Sequence, residues 1–152
     1  MGRGIIVHEN VCTGCRYCEI VCSLTHEGLV DPRKSRIKVH SDIFGGKEKV
    51  TVCRQCDPAP CVKACDDRGR HAIVENKKSG ILVVDERKCN GCAACVPACP
   101  FHAIFVNEKN LAIKCDLCNG DPQCLKFCRK LPYADKPALE MRPKTPPNPN
   151  FV

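Results

Sequence analysis

The stretch CTGCRYCEIVC, residues 12–22, places four cysteines in eleven positions with the spacing C-x2-C-x2-C-x3-C. The same spacing returns at residues 89–99 as CNGCAACVPAC, there followed by Pro100. Two further groups alternate with these. Cys53, Cys56, Cys61 and Cys65 are spaced C-x2-C-x4-C-x3-C, and Cys115, Cys118, Cys124 and Cys128 are spaced C-x2-C-x5-C-x3-C. All 16 cysteines of the chain fall into these four groups of four. The flanks repeat as well: IIVHENVC (5–12) is similar to LVVDERKC (82–89), and DPAPC (57–61) to GDPQC (120–124). An A-B-A-B order of this kind reads as duplication of a two-group unit.

The remaining composition explains why the cysteines matter. The chain has 152 residues, the length of one ordinary domain. Of its 43% hydrophobic residues the cysteines are a large part, aromatics make up 5%, and there is no tryptophan. That leaves thin material for a conventional core, so disulfides or metal must organise the chain. The segment ahead of Cys12, MGRGIIVHEN, lacks a secretory apolar run and a twin-arginine pair. No stretch approaches the roughly 18 apolar residues of a membrane span. A cytoplasmic location follows as the expectation. Thiols stay reduced there, which favours metal over disulfides.

Between the groups lie short β-branched runs: IIVH (5–8), RIKVH (36–40) and VTV (50–52). AIVENKKSGILVV (72–84) reads as a hairpin turning at Lys78–Gly80, and AIFVNEKNLAIK (103–114) as another turning near Glu108–Asn110. Cys18, Cys61, Cys95 and Cys124 are each followed by a cysteine at i+4, one helical turn on, which predicts a short helix at all four places. The first continues through EIVCSLTHEG and stops at Gly28. The expected fold class is α+β: a duplicated ferredoxin-like domain, two modules of two clusters each, over residues 1–131. Residues 132–152 carry six prolines and read as an extended C-terminal arm that docks along a neighbouring subunit.

The spacing selects the metal. A cubane of four irons and four sulfides takes one thiolate per iron. Three cysteines at three-residue intervals wrap one cube, and the fourth cysteine of a C-x2-C-x2-C-x3-C-P run belongs to a second cube. Structural zinc prefers two separated C-x2-C pairs, and four cysteines within eleven residues crowd a single ion. Gly14 and Gly91, each preceding a second cysteine, permit the loop to close on the cluster. Sixteen thiolates complete four 4Fe-4S clusters, leave no open iron corner for a substrate, and so point to electron transfer. Four oxidised clusters would contribute about −8 against the formal +7. This removes the main support for a nucleic-acid partner and leaves a zinc-binding nucleic-acid module as a distant alternative.

The span Cys12–Cys128 resembles the four-cluster ferredoxin-like subunits of molybdenum and tungsten bis-pterin oxidoreductases, the dimethyl sulfoxide reductase iron–sulfur subunit type. It looks most like the small iron–sulfur subunit of tungsten-dependent aldehyde oxidoreductase. The resemblance implies a hetero-oligomer with a pterin catalytic subunit and a flavin or NAD subunit or soluble acceptor, with room for several copies of this chain. Service to a hydrogenase, formate dehydrogenase or carbon monoxide dehydrogenase is the alternative within the class. It also implies a pairing: Cys12, Cys15 and Cys18 with Cys128; Cys115, Cys118 and Cys124 with Cys22; Cys53, Cys56 and Cys61 with Cys99; Cys89, Cys92 and Cys95 with Cys65. Spacing alone equally permits first-with-second and third-with-fourth pairing. Ser23, Asp66 and Arg129 stand where a proline is frequent in this family. No catalytic residue is expected. His8, His26, His40 and His71 read as structural or surface groups, as does His102, although its place beyond Pro100 would let it tune a cluster. Asp116 reads as solvated, and RKSRIK (33–38) as a solvated basic face.

Overall fold

The computed structural model describes residues 3–129 and 135–143. Among these residues three α-helices and eight strands follow in the order β1 (Arg3–Val7), α1 (Tyr17–Glu27), β2 (Ile37–Asp42), β3 (Lys47–Val52), α2 (Pro60–Asp66), β4 (Ile73–Glu75), β5 (Leu82–Val84), β6 (Ile104–Val106), β7 (Ala112–Lys114), α3 (Gln123–Phe127) and β8 (Leu139–Pro143). The class is α+β, as expected. The strands pair only in twos, all antiparallel: β1 with β8, β2 with β3, β4 with β5, and β6 with β7. A lone two-stranded ribbon is at best marginal in water, so each must bury a face against something else. Ile5, Ile37, Val39, Val52, Ile73, Leu82, Ile104, Leu117 and Leu139 turn inward and pack with eight buried cysteines.

The two hairpins read from sequence are β4–β5 and β6–β7. Their tight ends are held by Asn76 and Asn107, whose Oδ1 atoms accept N–H bonds from Lys78 and Lys109. The runs at 36–40 and 50–52 turn out to be partners in a third and longer hairpin, joined at Asp42–Gly46.

Helix α1 ends at Gly28, which adopts a left-handed conformation at φ 70°. The departure at Ser23 has a structural reason. A proline there would stop α1 one turn early. The fully buried serine hydroxyl instead donates to the Ile20 carbonyl at 3.0 Å and accepts the Asp31 N–H at 3.1 Å, fastening the segment that follows the helix.

Two expectations need correction. Cys95–Cys99 is a run of turns rather than a helix. Pro97 lies inside it and has no N–H for an i→i−4 bond; the observed bonds, Val96 N to Ala93 O and Cys99 N to Val96 O, span three residues. The division at residue 131 also does not separate an arm from the domain on the described side. Residues 139–143, inside the proline-rich stretch, form β8 and zip onto β1 with Val7 opposite Leu139 and Ile5 opposite Met141. Leu139 is buried in the core. The expected extended tail at 144–152 lies outside the described residues.

Candidate metal centres

All sixteen cysteines are free thiols. Cys12, Cys15, Cys18 and Cys128 line one cavity of about 300 Å³ at the end of α1. Cys89, Cys92, Cys95 and Cys65 line another beside β4 and β7. The other two sets show themselves electrostatically. Burial pushes the Cys61 thiol up to about 12, and its neighbours Cys53, Cys99 and Cys56 push the same way. Cys56 is pushed up to about 11 by burial and then by Cys53 and Cys99. Burial likewise raises Cys124 and Cys118, and both feel Cys22. Three cysteines of one group are thus found near the fourth cysteine of another.

Local structure explains the exchange. Helix α1 carries Cys18 and Cys22 four residues apart, so one thiol reaches the set of its own loop and the next reaches the neighbouring set. Helix α2 does the same with Cys61 and Cys65, and α3 with Cys124 and its C-cap Cys128. Sets that share a helix therefore adjoin. Cys124 feels Cys18 of the first set, and Cys115, buried and raised well above the ordinary thiol range by that burial, feels Cys53 of the next. The two exposed cysteines, Cys15 and Cys92, belong to the two end sets.

Backbone amides are aimed at the sulfurs in a repeating way. Each fourth cysteine accepts an N–H from the residue at or just before the start of a strand. Arg36 N donates to Cys22 Sγ at 3.3 Å ahead of β2, Ala72 N to Cys65 Sγ at 3.3 Å ahead of β4, and Ala103 N to Cys99 Sγ at 3.4 Å ahead of β6. Ala138 and Leu139, at the start of β8, do this for Cys128. Three first cysteines accept from two residues on: Cys12 from Gly14, Cys53 from Gln55 at 3.4 Å, and Cys115 from Leu117 at 3.4 Å. Cys89 accepts instead from Ala112 of β7 at 3.5 Å. The loops reach this by left-handed backbone at Arg16, Gln55, Ala93 and Cys118, the turn geometry that presents successive N–H groups to an anion.

This donor set fits 4Fe-4S clusters. Buried thiols crowded against one another resist ionisation, as the upward shifts show, and a bound metal removes the proton outright. Soft sulfur donors in fours, ringed by amide donors, suit an anionic iron–sulfur cube.

Asp116 differs from its sequence reading, and several other residues find local partners. Asp116 is not a solvated carboxylate: it is half-buried, accepts from Arg36 Nη1 at 2.8 Å and from Cys118 N at 2.9 Å, and lies 3.4 Å from His26 Nε2. His26 is itself 3.8 Å from Cys118 Sγ, and burial lowers its pKa. His102 is exposed; the tuning contact at that place is the amide of Ala103. His8 bonds Glu140 at 2.6 Å across the β1–β8 ribbon, and His71 bonds Asp66 at 2.7 Å, so the departure at residue 66 closes a local pair. The basic run 33–38 is largely spoken for: Arg33 grips Asp31, Lys34 reaches Glu108, Arg36 reaches Asp116, and Lys38 caps the carbonyls of Pro32 and Arg33. Lys114 and Gln55, both buried, carried no sequence signal beyond their place beside cysteines.

Among the described residues no helix is long and apolar enough to cross a membrane. The family described as 4Fe-4S dicluster domain matches residues 49–133. A Pyrococcus furiosus protein named aliphatic sulfonate oxidoreductase, polyferredoxin-like subunit, is 41% identical over 127 residues, covering 83% of this chain and 71% of the relative. Electron transport protein HydN of Escherichia coli is 34% identical over 152 residues, covering 84% of each. With the thiol sets, the amide donors and these relatives together, the chain belongs to the 4Fe-4S dicluster family of ferredoxin-like, iron–sulfur electron-transfer proteins.

Proposed function

We propose that this chain is the electron-transfer subunit of an oxidoreductase complex and holds four 4Fe-4S clusters in a row. The observation that carries this is the arrangement of sixteen free thiols as four adjoining sets, with an exposed cysteine in each end set. Cys12, Cys15, Cys18 and Cys128 hold the first cluster; Cys22, Cys115, Cys118 and Cys124 the second; Cys53, Cys56, Cys61 and Cys99 the third; Cys65, Cys89, Cys92 and Cys95 the fourth. When bound, each cluster supplies a one-electron couple. The chain's own part is to hold these couples close together, to exclude water from the inner pair, and to aim N–H groups at the ligating sulfurs. The repeated amide-to-sulfur contacts at Cys22, Cys65, Cys99 and Cys128 favour the duplicated-module origin.

The Cys15 and Cys92 ends are the ports for donor and acceptor. The relative named as a subunit of a sulfonate oxidoreductase favours service to a catalytic oxidoreductase subunit. We take that subunit to be a tungsten or molybdenum pterin enzyme, with aldehyde oxidation as the reaction suggested by the resemblance. A flavin subunit or soluble carrier, in the cytoplasm, receives the electrons. The test is elemental analysis of the complex purified natively without oxygen. About sixteen irons per copy of this chain, with tungsten or molybdenum co-purifying, is the expected result. Nickel in their place moves the partner to a hydrogenase or carbon monoxide dehydrogenase. Zinc with little iron overturns the reading.

A further inference from the structure

Lys114, the last residue of β7, is 2% exposed. A lysine is almost never this buried unless an acid pairs with it, yet among the described residues no carboxylate forms an ion pair with it. Its Nζ donates instead to two backbone carbonyls, those of Leu82 and Cys115. The same two carbonyls are already served by Gln55, whose Nε2 lies 3.2 Å from Leu82 O and 2.8 Å from Cys115 O, while its Oε1 accepts the Leu82 N–H at 2.8 Å. A neutral amide therefore already ties β5 to the Cys115 loop. The charge of Lys114 is not needed for that tie, and desolvating it is costly.

The cysteines around it show what the charge faces. Lys114 Nζ lies 3.2 Å from the carbonyl oxygen of Cys115 itself, and Gln55, which shares both of its carbonyls, donates its own N–H to Cys53 Sγ at 3.4 Å and immediately precedes Cys56. These thiols belong to the two inner sets of the row. The end cavities, lined by Cys12, Cys15, Cys18 and Cys128 and by Cys65, Cys89, Cys92 and Cys95, do not include Lys114.

We propose that the Lys114 ammonium is a positive charge built in between the two inner clusters, raising their reduction potentials relative to the end pair. The inference rests on the four-cluster reading above. Reduction adds one electron to a cluster and makes its net charge more negative by one, with no bond formed or broken. A nearby cation in a site closed to water stabilises the reduced form more than the oxidised form. The inner pair then holds an electron more readily than either port.

The test is an anaerobic potentiometric titration followed by electron paramagnetic resonance, on holoprotein in its native complex, with dithionite as reductant. Wild type is compared with Lys114→Met, Lys114→Gln and Lys114→Arg, and iron is counted in every sample. The expected result is that the two neutral variants keep their iron and show two of the four potentials shifted down, with the other two unmoved. Lys114→Arg should restore the wild-type pattern. Full iron with no shift, or with an equal shift of all four potentials, overturns the inference and leaves the four-cluster reading standing. Loss of iron in both neutral variants but not in Lys114→Arg assigns the charge to assembly and also overturns it. Wild type well short of about sixteen irons overturns the reading on which the inference rests.

Discussion

At the scale of single residues, the site depends on backbone direction as much as on thiols. Gly91 shows this. It sits at φ +76°, and a Cβ there would lie 2.4 Å from the Asn110 carbonyl oxygen in the β6–β7 turn. The clash is with backbone and cannot be relieved by a rotamer change, so Gly91→Ala should destabilise the holoprotein by about 1–3 kcal/mol, read from chemical denaturation without oxygen. At Gly14 the nearest atoms a Cβ would meet are those of the Glu48 carboxylate, the end of a flexible side chain, and Gly14→Ala should cost less. Unchanged stability in Gly91→Ala would remove the packing role given to that position. Cys95 is buried, and its thiol is pushed up to about 11 by burial and then by Cys65, Cys89 and Cys92. Cys95→Ser should lower the iron content by up to about four per chain, one cluster's worth. Sixteen irons with an unaltered spectrum would refute its place as a ligand. The cysteine groups were fully legible in sequence because thiol spacing is itself the chemistry. Lys114 was not: β7 is buried along its whole length, so no alternation of polar and apolar residues marks which side chain faces the clusters.

At the scale of elements, the hairpins β4–β5 and β6–β7 were readable because β-branched runs flank asparagine, lysine and glycine turns. The i+4 rule found α1, α2 and α3 and failed at Cys95–Cys99, where Pro97 removes a donor that the rule assumes. Strand β8 escaped for a different reason. Its partner β1 is at the other end of the chain, and its proline-rich surroundings read as an extended arm. The pairing has consequences for the first set, because Ala138 and Leu139 supply the N–H groups that reach Cys128. Truncation after residue 134 should leave the Cys12, Cys15, Cys18 and Cys128 set open to water. The expected outcome is faster loss of about four irons on exposure to air, with the remainder kept longer. Equal lability of all the iron would argue against β8 as a cover for that end. Leu139→Ala, a smaller change at a buried position, should cost about 2–5 kcal/mol in denaturant unfolding.

At the scale of the whole molecule, the four ribbons pack on the three short helices, on the cysteine sets and to a lesser degree on one another. Eight of the buried residues that form the core are cysteines. A chain built this way couples metal binding to folding. Removing the iron with acid or a strong chelator should abolish the cooperative thermal transition and most of the far-ultraviolet circular dichroism. A metal-free chain that kept a sharp transition would show that its apolar residues suffice. The proposed order of the sets, from the exposed Cys15 end through the buried Cys115 to the exposed Cys92 end, is the property on which the proposed electron relay rests. The measurement that tests it most directly is iron anomalous scattering from crystals of the anaerobically purified protein. Four separate iron peaks in one row are the predicted result, with Cys128, Cys22, Cys99 and Cys65 each completing the site of another group's three cysteines. Two peaks, or Cys65 closing the site of Cys12, Cys15 and Cys18, would contradict the account.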